Sequence, residues 1–359
     1  MTFARSLGIT LDSLPIELGG TAAAAWKARA DGLYAAWPSE RAGLRVSNQV
    51  FDPAVMLRAT DRILGAIAAH PPVLPCHGVT HTIRVLSHAL RIARRDELDP
   101  TDSWRLLLAA ASHDIGRLLL HRDGDLRHAD VSAVILEDLR DELNLAPEIF
   151  LPARHAVLMH SAKRVDLRPI RPRVIDDVRS ADKLDALDEI GFVRAILYQG
   201  ANQKIALAPT VGSRATVLYG WWKNIESIEA VSVSHRERRL ISAARARSRR
   251  IGQQITLFSG PPERLGATFL AVTRLVEPDA NRAAIAQTLE RLEQLPQAIQ
   301  ANWTGLLTAV LVEIQRLEAR RLSDLSLVQD GPRADLAPLA SLVLRWSRRA
   351  ERTGRDLVV

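Results

Sequence analysis

Helix punctuation runs along the whole chain while strand punctuation is missing, and this contrast restricts the fold more than any other feature. Asp52-Pro53 places an N-cap residue before a Pro at the first helical position. Residues 54–70 then carry apolar side chains at helical spacing until His70-Pro71-Pro72 stops them. Further helices are expected over 77–95, 129–143, 147–162, 173–189, 211–230 and 234–258. Pro100-Thr101-Asp102 starts another, and its stretch 104–112 is so apolar that it reads as a fully buried helix. Beyond the break Ser259-Gly260-Pro261-Pro262, Glu277-Pro278-Asp279 reads as one more start, 298–322 as a long amphipathic helix, and a last helix runs to about residue 352. Alternating β-branched runs are absent, aromatic residues make up 4% of the chain, and no repeat of 20–50 residues is visible. The expected fold is all-α. It divides into an N-terminal helical segment (1–72), a central domain (73–258) and a C-terminal helical region (263–359).

Composition narrows the setting. At 359 residues, with 47% hydrophobic and 25% charged residues, the chain has ordinary globular proportions. One cysteine, Cys76, excludes an internal disulfide framework and a Cys-rich zinc site. No run of eighteen apolar residues occurs, and residues 1–15 lack a basic segment followed by an apolar one. A cytoplasmic protein without membrane attachment is expected. The net charge of +7 comes from 43 Arg and only 5 Lys. The arginines are spread widely, so nucleic-acid binding is the less favoured reading of the charge. One concentration stands out, Arg236, Arg238, Arg239, Arg245, Arg247, Arg249 and Arg250. It reads as a solvated helix face or as a patch that steers a polyanion. Trp26, Trp37 and Trp303 read as core anchors of the two flanks.

Eight of the ten histidines fall between His77 and His160. The pair His113-Asp114 ends the run Leu106-Leu107-Leu108-Ala109-Ala110-Ala111. A carboxylate at the end of such a run is costly to bury unless it is paired or metal-bound. Successive helical residues point about 100° apart, so His113 and Asp114 reach different sides of a shared site, and the carboxylate can bridge two ions. Imidazole with carboxylate suits Mn, Fe, Co, Ni or Zn better than Ca. Taken singly, His128 reads as an exposed helix-start residue, His160 as a partner of a helix C-terminus, and Asp182 as a salt-bridge residue.

The set as a whole changes that reading. His81 in His-Thr-Ile-Arg-Val, the apolar run into His113-Asp114-Ile-Gly-Arg117, and Asp182 in Ala-Asp-Lys-Leu-Asp-Ala-Leu resemble the signature of the HD-domain superfamily of metal-dependent phosphohydrolases. The stretch 181–195, and His77 four residues before His81, look similar to a bacterial subgroup of small HD hydrolases. The resemblance spans about 74–258 and leaves both flanks unexplained. It implies an HD-type helical bundle in which His81, His113, Asp114 and Asp182 hold one divalent metal. His128 and His160 sit where two-metal branches place two further ligands, so two ions per chain are expected. His155 competes with His160, but the two are five residues apart on one helix, and His160 is preferred. The resemblance further implies that Arg117 holds a substrate phosphate, that Lys183 and Asp185 assist beside the last ligand, and that His77 and Lys223 contact substrate. His88 reads as packed or solvated.

The expected reaction is hydrolysis of a phosphoester, mono- or diester, of a nucleotide or small phosphorylated metabolite, through a metal-activated water. Two alternatives stay open. Some superfamily members with the same six ligands are mixed-valent di-iron oxygenases, and others are non-catalytic helical signalling or binding modules. The helical flanks would also suit self-association into a homo-oligomer.

Overall fold

The computed structural model describes residues 20–44, 52–70, 76–118, 127–140, 145–161, 173–201, 235–254, 257–331, 333 and 335–356. Among them are thirteen α-helices, short 3-10 turns and no strand, so the chain is all-α. The helices are α1 (Gly20–Gly43), α2 (Pro53–Ala69), α3 (Val79–Arg95), α4 (Pro100–Ser112), α5 (His128–Asp138), α6 (Pro147–Met159) and α7 (Arg173–Asp185). They continue with α8 (Asp188–Ala201), α9 (His235–Gln254), α10 (Leu265–Val276), α11 (Arg282–Glu293), α12 (Gln297–Gln329) and α13 (Ala337–Asp356). The helix expected over 211–230 lies outside the described residues.

Local chemistry explains several helix starts. The Asp52 side chain accepts from the Ala54 amide at 2.8 Å, ahead of Pro53 at the first position of α2. Asp99 does the same for Asp102 at 2.9 Å, ahead of Pro100 in α4. Two expectations are corrected. The single helix over 173–189 is two helices, because Asp188 adopts φ 59° and the chain turns between α7 and α8. A Cβ on Gly191 would lie 2.2 Å from the Ala186 carbonyl carbon, so this close turn requires glycine. The acidic turn at Glu277-Pro278-Asp279 does not start α11. Asn281 caps that helix by accepting from the Ala283 amide at 2.8 Å, and the two earlier carboxylates are used elsewhere.

The chain separates into two compact units. The first comprises residues 1–73, 82–182 and 325–344. Its centre is α4, where Trp104, Leu106, Leu107 and Leu108 have no exposed surface, packed against α6, with α5 and α2 alongside. The outer helix α1 lies on α5 and α6. It buries Trp26 and Trp37 and is tied down by ion pairs: Arg29 with Asp138 at 3.1 Å, and buried Arg154 between Glu40 and Glu137. The second unit comprises residues 74–81, 183–324 and 345–359. There α8 packs against α9, α10 and α11, and Phe192 stacks on Trp303 with ring centroids 5.9 Å apart.

Candidate metal centre

Two histidines sit at helix C-termini and use the same local device. The last carbonyls of a helix lack intrahelical partners. His113, at the end of α4, places Nδ1 2.9 Å from the Ala110 carbonyl, three residues back. His160, at the end of α6, places Nδ1 2.6 Å from the Val157 carbonyl, also three residues back. A carbonyl can only accept, so Nδ1 carries the proton in both rings. In the neutral imidazole the lone pair is then on Nε2. Both rings are buried, and both aim that lone pair at Asp114.

The two oxygens of Asp114 face different donors. Oδ1 lies 3.3 Å from His128 Nε2 and 3.8 Å from His160 Nε2, and those two nitrogens are 3.1 Å apart. Oδ2 lies 3.7 Å from His113 Nε2, which is also 3.9 Å from Asp182 Oδ1. An ion held at about 2.0–2.2 Å by nitrogen and oxygen ligands sets neighbouring donor atoms about 3–4 Å apart. The observed spacings fit that requirement on both sides of the carboxylate. Asp114, His128 and His160 therefore form one group able to hold an ion, and His113 and Asp182 stand on the other side of the carboxylate.

Electrostatics favour the ligand forms. Burial pushes the Asp114 carboxyl up, but the neighbouring Arg117 charge leads the influences that outweigh it and hold the group well below the usual carboxylate range. Burial and the Arg117 charge push His128 well below its ordinary value, so its ring is neutral at pH 7. Arg117 follows in a 3-10 turn, with Nε 2.9 Å from Asp114 Oδ2 and Nη2 3.3 Å from His128 Nε2. It is one-fifth exposed, so this guanidinium spans the centre while part of it meets solvent.

His81, in the first turn of α3, is fully buried, and its Nδ1 lies 2.6 Å from Asp185 Oδ2. Asp185 thereby fixes the ring with its proton on Nδ1, the carboxylate–histidine arrangement common behind metal ligands.

A model of the HD domain family matches residues 78–187. Residues 78–187 carry an HD domain. The match covers His81, His113, Asp114, Arg117, His128, His160, Asp182, Lys183 and Asp185, and HD domains are generally those of metal-dependent hydrolases. No curated protein and no solved structure matches the chain. His77 stands just before the HD domain, half-buried, with its ring edge-on to His81 at 5.6 Å and to Tyr198 at 6.3 Å. Lys183 is half-buried beside Asp182 on α7. Lys223 lies outside the described residues.

Other histidines of the HD domain are placed elsewhere. His155 is buried flat against Trp37, with centroids 4.2 Å apart and 6° between the rings, and belongs to neither ligand group. His88 pairs with Arg91 at 3.0 Å. The arginines of α9 are not one solvated face. Arg245 is buried and Arg247 makes a two-pronged contact with Asp188 at 3.0 and 2.7 Å, while Arg238, Arg239, Arg249 and Arg250 are exposed. Sequence reading did not assign a role to Arg194, which is buried and donates to Asp185 Oδ2 at 2.7 Å. Its only local sign is an arginine within the apolar pattern of α8.

Proposed function

We propose that this chain is a phosphohydrolase acting on a phosphoester of a nucleotide or other small phosphorylated metabolite, with two divalent ions per chain. The observation that carries the reading is the Asp114 carboxylate, whose two oxygens face two separate donor sets. His81, His113 and Asp182 would hold one ion with Asp114, and His128 and His160 the other. When bound, ions of the Mn, Fe, Co, Ni or Zn class supply Lewis acidity and a water acidified toward neutral pH.

The side chains do the remaining work. His113 and His160, fixed by their own helix carbonyls, present lone pairs without rearrangement. Arg117 is placed to exchange its contact with Asp114 for a bidentate contact with the substrate phosphate. Lys183, beside Asp182, would add a second cation for the same anion, and His77, edge-on to His81, would contact the substrate. Asp185 holds His81 in its ligand tautomer.

Metal content per chain and turnover of a phosphomono- and phosphodiester panel, with and without oxygen, test the reading. Asp114→Ala is expected to lose bound metal and all turnover while keeping its helical circular dichroism. Full activity in that variant, or failure of the native protein to take up any metal on titration, overturns the assignment. Turnover that needs oxygen overturns hydrolysis in favour of oxidation.

A further inference from the structure

The His81–Asp185 pair does not end at Asp185. Arg194 Nη1 donates to the same Asp185 Oδ2 at 2.7 Å and to the Asp185 carbonyl at 3.0 Å. Arg194 Nε lies 3.1 Å from Glu277 Oε1, and Nη2 donates to the Cys76 carbonyl. Every member of this chain is buried: side-chain exposure is 0% for His81 and Asp185, 8% for Arg194 and 1% for Glu277. The neighbouring Asp279 places Oδ2 3.3 Å from the Thr80 amide, at the open N-terminus of α3. A Cβ on Gly78 would collide with Asp279, so the fit there is close. Cys76, at φ 76°, turns the chain into this clasp, and its thiol donates to the Arg194 carbonyl at 3.2 Å.

Both acidic residues come from one short turn after α10. That turn begins about ninety residues beyond the end of the HD match at residue 187. A buried arginine shared by two carboxylates is costly to assemble for stability alone, because the charges must be desolvated. Here it fixes one thing that function needs, the direction of the His81 ring. We infer that Glu277, acting through Arg194 and Asp185, is a positioning residue for His81, so that the C-terminal helical region sets the ring of a candidate metal ligand. Glu277 holds the far side of the Arg194 fork, the fork fixes Asp185, and Asp185 fixes the tautomer and plane of His81. Asp279 anchors the first turn on which His81 rides.

This inference rests on the metal-centre reading above, and a double-mutant cycle on the full chain tests it with Co²⁺ as the probe. The first readout is affinity for Co²⁺ from titration of its visible absorption. The second is the ring tautomer of His81 in metal-free protein, from ¹⁵N NMR. Glu277→Gln is expected to weaken Co²⁺ binding about tenfold, the lower end of the effect of partners behind a ligand. Asp185→Asn should weaken it at least as much. The double variant should be no worse than Asp185→Asn alone, since the two act in series. Unchanged affinity and an unchanged His81 signal in Glu277→Gln overturn the inference, as does a double variant that loses the sum of the two effects. If Glu277→Gln fails to fold, Arg194→Lys takes its place in the same cycle. It keeps the charge and removes the fork. Failure of the native protein itself to bind Co²⁺ sinks the metal-centre reading, which the other outcomes leave standing.

Discussion

Replacing His155 by Phe should flatten the acid limb of the protein's stability. The His155 ring is 1% exposed, stacks on Trp37, and has no hydrogen-bond partner among the described residues at either nitrogen. Burial, helped by the neighbouring Arg154 charge, pushes its pKa from 6.5 to about 3. Below pH 6.5 the unfolded chain therefore takes up a proton that the folded chain refuses, so stability falls as pH falls and the loss ends near pH 3. The slope is about 1.4 kcal/mol per pH unit, which makes the cost about 2 kcal/mol at pH 5 and about 5 kcal/mol in full. Phe keeps the stacked ring and removes both unsatisfied nitrogens, so at pH 7.5 the variant should match the native protein or exceed it by about 1 kcal/mol. Urea unfolding at pH 7.5 and pH 5, with chelator throughout, measures the difference. The other histidines cancel in the comparison, because both proteins carry them. Equal pH slopes in the two proteins would refute the argument, and would mean that the ring is hydrated or that α1 lifts away before global unfolding.

Two further outcomes follow from the site. Arg117→Gln should lower kcat/KM for a phosphoester about 10- to 100-fold, the value of a charge-assisted contact. It also removes the strongest influence lowering the Asp114 carboxyl, so metal uptake, which needs the carboxylate, should fail at a higher pH than in the native protein. An unshifted acid limb in metal titrations would count against the Arg117–Asp114 contact. Gly116→Ala places a Cβ 2.6 Å from the His128 carbonyl and 2.7 Å from the Ser132 amide. It should cost about 1–3 kcal/mol and loosen the ion held by His128 and His160. Metal stoichiometry and thermal melting measure the two effects.

Much of this was legible because the signals are local. Asp52-Pro53 announces α2 and Pro100-Thr101-Asp102 announces α4, since cap and first turn are decided within four residues. His160 was separable from His155 because five residues put side chains on different helix faces. The structure sends one ring to Asp114 and the other to Trp37. What stayed illegible depends on partners far along the chain. Glu277-Pro278-Asp279 has the composition of a helix start, yet Arg194 and the amide of Thr80 claim its carboxylates. Arg247 looks like one more surface arginine until Asp188, 59 residues away, accepts its guanidinium. The break at Asp188 is invisible to helical periodicity, which continues across it.

The buried candidate ligands also suit an apolar helix as their carrier. A metal-binding imidazole must be neutral, must have its lone pair on a chosen nitrogen, and must be unable to turn. At the end of α4 and again at the end of α6, the carbonyl three residues back meets the last two demands with no other side chain involved. His81 lies at the opposite end of its helix, where amides rather than carbonyls are unpaired, and no such acceptor is available to it. It needs a carboxylate from elsewhere, and a buried carboxylate needs a cation in turn. The Asp185, Arg194 and Glu277 series follows from that difference in helix polarity. A ligand at a helix C-terminus can therefore be recognised from a few neighbouring residues, whereas one at an N-terminus draws its support from distant parts of the chain.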